Sequence, residues 1–134
     1  MSDIIDLSYL IKNMNPALKN GEFVFCNIDT DIKNILESSP LLILKTVKGY
    51  SALVSRQSAD KYDYDYENVF SLITLCLPEH ESEAEFLAVI TGVFADQGIP
   101  VKLFSGFNNS CGLLVPVFKT DDAMQLLNDL TTDF

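Results

Sequence analysis

The nine residues from Val69 to Leu77, Val-Phe-Ser-Leu-Ile-Thr-Leu-Cys-Leu, constrain the fold of this chain more than any other segment. A run so short and so apolar reads as an interior strand of a sheet. Two arrangements compete for it. Upstream, Phe23 to Ile28 is a strand by its aromatic and β-branched content, and Asp29 or Thr30 caps a helix through Ile32, Ile35 and Leu36 that ends at Ser39-Pro40. Leu41 to Val47 and Tyr50 to Ser55 form a hairpin joined at Lys48-Gly49, where the glycine supplies a positive φ. With a turn of helix from Ser55 to Lys61, the stretch from Phe23 to Leu77 is a complete βαββαβ unit.

The downstream half asks for the same strand. Ser82 and Glu85 have the spacing of a capping box, Phe86, Leu87, Ile90, Val93 and Phe94 form one apolar stripe, and Gly98 closes the helix. Ile99 to Phe107 and Leu113 to Phe118 are strands around Asn108-Asn109-Ser110. A last helix from about Asp121 turns Ala123, Leu126, Leu127 and Leu130 inward. This half is βαββα only if residues 69–77 supply its first strand, so one unit is a strand short unless the two share or exchange one. Ahead of both lies a short helix with Leu7, Leu10, Ile11 and Met14 on one face, stopped by Asn15-Pro16. The expected class is α/β, with antiparallel sheets and helices packed on one face. The expected division lies near Tyr66: residues 1–66 hold the N-terminal helix and the first unit, and residues 67–134 hold the second.

Charge narrows the partners. The 134 residues carry 19 acids against 9 bases, a net charge of −10, which repels phosphate backbones and anionic lipid. Nucleic acid and membrane insertion are therefore excluded as expected partners. The acidic N-terminus from Met1 to Asp6 predicts no signal peptide, and no apolar stretch approaches the ~18 residues that span a bilayer. Cys26, Cys76 and Cys111 are odd in number and irregularly spaced, which fits a reducing compartment, so a cytoplasmic location is expected.

Catalytic chemistry finds little to work with. His80 is the one histidine, set among Glu79, Glu81 and Glu83, where acidic neighbours favour the charged ring and make it a poor resting base. Cys76, His80 and Cys111 match no zinc spacing, and Cys26 and Cys76 read as small residues on apolar strands. The run Asp63-x-Asp65-x-Glu67 lacks the glycine and the glutamate of a calcium loop, having Asn68 and Thr74 there, and reads as a solvated acidic connection. No glycine-rich phosphate loop occurs. The expectation is a protein that is not an enzyme and holds no metal or cofactor.

Six segments in one order carry a family resemblance: Leu10-Ile11-Lys12-Asn13-Met14-Asn15-Pro16, Gly21-Glu22-Phe23-Val24-Phe25-Cys26, Ser58-Ala59-Asp60, Ile73-Thr74-Leu75, Gly98-Ile99-Pro100-Val101 and Leu114-Val115-Pro116. From about Leu7 to Leu130 the chain resembles a bacterial family of small tandem ACT-domain proteins. The resemblance implies two ferredoxin-like βαββαβ units, an α+β fold. Better-known relatives bind amino acids or other small effectors near the first strand-to-helix loop, between two ACT units. This chain departs from the family there. Pro78 to Glu85 replaces a His-Ser-Ser-Leu-Glu-Ala-Val-Gly stretch, with Glu85 in place of the glycine, and Phe107-Asn108-Asn109-Ser110-Cys111 replaces a histidine-containing turn.

Two polar loops remain as candidate ligand sites. Glu79, His80 and Ser82 lead into a helix N-terminus, where the glutamates favour a zwitterion read by its amino group. Asn108, Asn109 and Ser110 offer donors and acceptors, although that triplet is first of all turn chemistry. The preferred function is small-molecule sensing, with an amino acid or similar metabolite as effector. The alternative is an interaction module without a pocket, a regulatory partner of an enzyme or transporter. Units of roughly 65 residues have marginal cores and an incomplete sheet leaves an open edge, so a homodimer that extends a sheet or covers its face is expected.

Overall fold

The computed structural model describes residues 3–133, with side chains from Leu7 onward. Residues 20–71 form one compact unit, and the segment up to Lys19 together with Leu72 onward forms the other. The expected division near Tyr66 is thus replaced by two crossings, one after Lys19 and one after Ser71. The N-terminal helix belongs with the C-terminal half.

The smaller unit contains β2 (Phe23–Ile28), α2 (Ile32–Glu37), β3 (Leu42–Thr46), β4 (Gly49–Ser55), α3 (Arg56–Lys61) and the first residues of β5 (Phe70–Cys76). Its strand order is β3-β4-β2-β5. β4 pairs antiparallel with β2 from Phe23↔Ser55 to Ile28↔Tyr50 and with β3 from Leu42↔Leu53 to Thr46↔Gly49, and β5 joins at Phe23↔Phe70. Val24, Cys26 and Ile28 alternate along β2, Ala52 and Val54 along β4, and all five bury against Ile35 of α2 and Ala59 of α3. A period of two on the strands meeting helical side chains places both helices on one face. The element order is the βαββαβ expected from the sequence, but only Phe70 and Ser71 of its last strand lie within this unit rather than the whole run to Leu77.

The larger unit contains α1 (Asp3–Lys12), β1 (Ala17–Leu18), the rest of β5, α4 (Glu83–Asp96), β6 (Lys102–Phe107), β7 (Ser110–Pro116), a 3₁₀ turn (Val117–Lys119) and α5 (Thr120–Asp133). Its order is β1-β5-β7-β6. β1 pairs antiparallel with β5 at Ala17↔Thr74 and Leu18↔Ile73, and the Lys19 N–H donates to the Leu72 carbonyl at 2.9 Å. The strand that this half lacked in sequence comes from the N-terminus. Ile73, Leu75, Cys111, Leu113 and Val115 bury against Leu10 and Ile11 of α1, Phe86, Ile90 and Phe94 of α4, and Ala123 and Leu127 of α5.

Several local expectations shift. The cap of α2 is Asp31, neither Asp29 nor Thr30. An N-cap stands immediately before the first helical residue in extended conformation, and Asp31, at φ −75° and ψ 157°, accepts the Asn34 N–H at 3.0 Å. The β3–β4 turn is Val47-Lys48, and Gly49, at φ +137°, already belongs to β4. The capping box at Ser82 and Glu85 does not form. Ser82 adopts φ −89° and ψ 12° and makes no side-chain cap bond. The other end of α4 closes as read: Gly98, at φ +67°, donates to Ala95 and Ile99 to Phe94, a Schellman motif. In the acidic run after α3 the acids Asp63, Asp65 and Glu67 are exposed, as read, but the tyrosines between them are drawn in. Tyr62, Tyr64 and Tyr66 are half-buried, Tyr64 and Tyr66 pack against the core, and the Tyr62 hydroxyl donates to the Glu37 carbonyl at 3.0 Å.

Two stability measurements follow. Asp31→Ala removes a used cap and should cost about 1 kcal/mol, whereas Asp29→Ala should stay within about 0.5 kcal/mol of the parent. Urea midpoints compare the two. A Cβ added at Gly112 would overlap the far edge of the half-buried Phe104 ring, so Gly112→Ala should cost about 1–3 kcal/mol through overpacking, again read from urea melts.

Candidate functional site

In the larger unit, β5 runs into the loop that leads to α4, and the Leu77 N–H donates to the Asn109 carbonyl at 2.9 Å. That bond ties the strand-to-helix loop to the β6–β7 turn. The turn itself is local chemistry: Asn108 and Asn109 sit at φ 47° and 52°, the pair of left-handed residues of a type I′ hairpin, which asparagine tolerates well. Gly106, at φ +91°, lies in the bulge between Ser105 and Phe107. Between loop and turn lies a cleft of about 260 Å³ lined by Leu77, Glu79, Glu83, Gly106, Phe107, Asn108 and Asn109.

Of the six residues singled out in sequence, this cleft brings together Glu79, Asn108 and Asn109. The other three do not line it. The His80 Nδ1 accepts the Ser82 N–H at 2.9 Å, so the imidazole takes part in the start of α4. The Ser82 hydroxyl is buried without a hydrogen-bond partner among the described residues, an arrangement that costs about 1–3 kcal/mol. Ser110 opens β7, and its hydroxyl donates to the Asn108 carbonyl at 3.2 Å.

Sequence reasoning missed Phe107 and Gly106 as lining, and named Glu83 only as an acidic neighbour of His80. Phe107 is exposed beside the turn and stacks on Phe104 with ring centroids 5.6 Å apart. An exposed aromatic next to an Asn-Asn turn was the available signal. The lining holds two carboxylates and no basic side chain, so the cleft favours an amine or another cation over an anion.

The smaller unit has a cleft in the equivalent place, between the loop after its first strand and its hairpin turn. It measures about 460 Å³, and Asn27, Asp29, Val47, Lys48 and Tyr50 are among its lining. Here a carboxylate and an ammonium face one cavity. The Ser51 hydroxyl is bonded to the Asn27 side-chain oxygen at 2.8 Å on the same wall.

Neither buried cysteine is poised as a nucleophile. Burial, with the charge of Glu83 second, pushes the Cys111 thiol up to about 12, and burial with Asp65 raises Cys26 to about 11. Among the described residues no group of three or more histidine, cysteine or acidic side chains could hold a metal ion. No described helix is long and apolar enough to cross a membrane.

Similarity to known proteins accords with this architecture. A crystal structure of a Vibrio cholerae protein of unknown function, a possible transport protein, matches with a TM-score of 0.84 and 25% identity, covering 97% of this chain and 99% of the other. An Agrobacterium tumefaciens protein matches at 0.67 and 15% identity over 87% of each chain. The ligand-free regulatory subunit of aspartate kinase from Thermus thermophilus matches at 0.64 and 11% identity, over 88% of this chain and 97% of its own, a likeness of fold. No curated protein matches the sequence. The family model for the ACT domain covers residues 2–71, more than half of the sequence, and the chain belongs to the ACT domain family.

Proposed function

We propose that this chain is a non-catalytic regulatory protein that senses an amino acid or a similar small zwitterion. The observation that carries the reading is the repeated cleft: in each unit the loop after the first strand faces a hairpin turn across a cavity. Membership of the ACT family and the likeness to aspartate kinase regulatory subunits support a sensing role. In this reading Glu79 and Glu83 of the larger unit's cleft receive the ligand's ammonium group, with Asn108 and Asn109 supplying polar contacts and Phe107 an apolar wall. His80, Ser82 and Ser110 shape the loops behind these residues. In the smaller unit, Lys48 and Asp29 complement the two charges of a zwitterion.

Catalysis would need a general base or an activated nucleophile. Two of the three thiols are buried and raised, and His80 is engaged at the helix start. A thermal-shift screen of the twenty amino acids and common metabolites tests the sensing reading. A true ligand at a hundred times its Kd should add about 2.7 kcal/mol of stability. Glu79→Gln should abolish the shift if the larger unit binds it, and Asp29→Asn if the smaller unit does. No shift with any compound would sink the reading and favour an interaction module.

A further inference from the structure

We propose that the outer edge of β3 is a docking strand for an extended segment of a partner protein that alternates apolar and acidic residues. Among the described residues β3 bonds only to β4, so half of its backbone N–H and C=O groups point away from the sheet with no strand to receive them. Leu41, Leu44 and Val47 are exposed along and beside this edge, Val47 fully. An edge strand with this much outward apolar surface is a template for β-augmentation.

Charge selects the occupant. From Ser38 to Ala59 the sequence has no acid, although the chain carries 19 acids and a net charge of −10. Arg56 in this stretch is taken up by Glu22 at 2.9 Å and by the Tyr66 hydroxyl at 3.1 Å. Lys45 and Lys48 are exposed and make no ion pair with any described residue. The pleat puts Leu44 and Lys45 on opposite faces, so an added strand meets an apolar neighbour on one face and a cation on the other. A second copy fits poorly, because antiparallel self-pairing would gather four lysines and no acid into one short ribbon. Lysine on an edge is also a common guard against such self-pairing. An alternating apolar and acidic strand satisfies backbone, apolar and charged groups together.

The test uses the full chain and two fluorescein-labelled eight-residue peptides, one a valine-glutamate repeat and the other a valine-lysine repeat. Fluorescence anisotropy should show binding of the acidic peptide that weakens with salt, and little binding of the basic one. Amide hydrogen exchange should slow along Leu42 to Thr46 on binding. The surface variant Lys45→Glu, which leaves the cleft lining untouched and is checked for native circular dichroism, should bind the acidic peptide about threefold more weakly and narrow its preference over the basic one. The proposal is overturned if both peptides bind alike, if neither binds at millimolar concentration, or if the slowed amides lie outside β3. It is equally overturned if the free protein already protects this edge by self-association.

Discussion

Backbone pairing along β5 is the constraint on which the other elements depend. Its residues from Phe70 to Ile73 are buried, and a buried strand must find partners for its N–H and C=O groups. The first of these pairs with Phe23 in the smaller unit, where β5 serves as the last strand of a βαββαβ order. From Leu72 onward the same strand is the first of the larger unit and pairs with β1 and β7. One seven-residue strand therefore closes one unit and opens the next. That economy leaves the larger unit without a closing strand of its own, and β1 fills the place.

The role of α1 follows from this. Once β1 is paired at Thr74 and Ile73, the preceding helix is brought to the face where Phe86, Ile90, Phe94, Ala123 and Leu127 already need cover, and Leu10, Ile11 and Met14 provide it. The Met14 carbonyl accepts the Cys76 N–H and extends the pairing beyond β1. The connection from β1 to β5 is itself the folded smaller unit, whose Phe23–Phe70 pairing already holds its two ends together.

The two clefts show what a repeated topology leaves free. Both arise because a ferredoxin-like unit sets its first strand-to-helix loop opposite its hairpin turn, and the residues in those turns differ. Asn108-Asn109 makes a tight I′ turn with polar side chains, whereas Val47-Lys48 presents an apolar group and a cation. Paired carboxylates mark one cavity and opposite charges the other, so the two cavities differ in their electrostatics.

Periodicity and turn chemistry, properties of neighbouring residues, were legible in the sequence. They determined β2 to the residue, the stripe of α4 with its Gly98 closure, the Asn108-Asn109 turn and the helical turn after Ser55. The competition for residues 69–77 was legible too, but not its resolution. Only tertiary structure decided that β5 is divided between units, that Ala17 and Leu18 form a strand, and that Leu77 bonds to Asn109 to close one wall of a cleft. It also decided that Asp31 caps α2 while Asp29 lines a cavity, and that Ser82 turns its hydroxyl inward. Each of these outcomes depends on a hydrogen bond or a packing contact set by the folded backbone, and two residues of β1 carry too little periodicity to announce a strand whose partner lies more than fifty positions away.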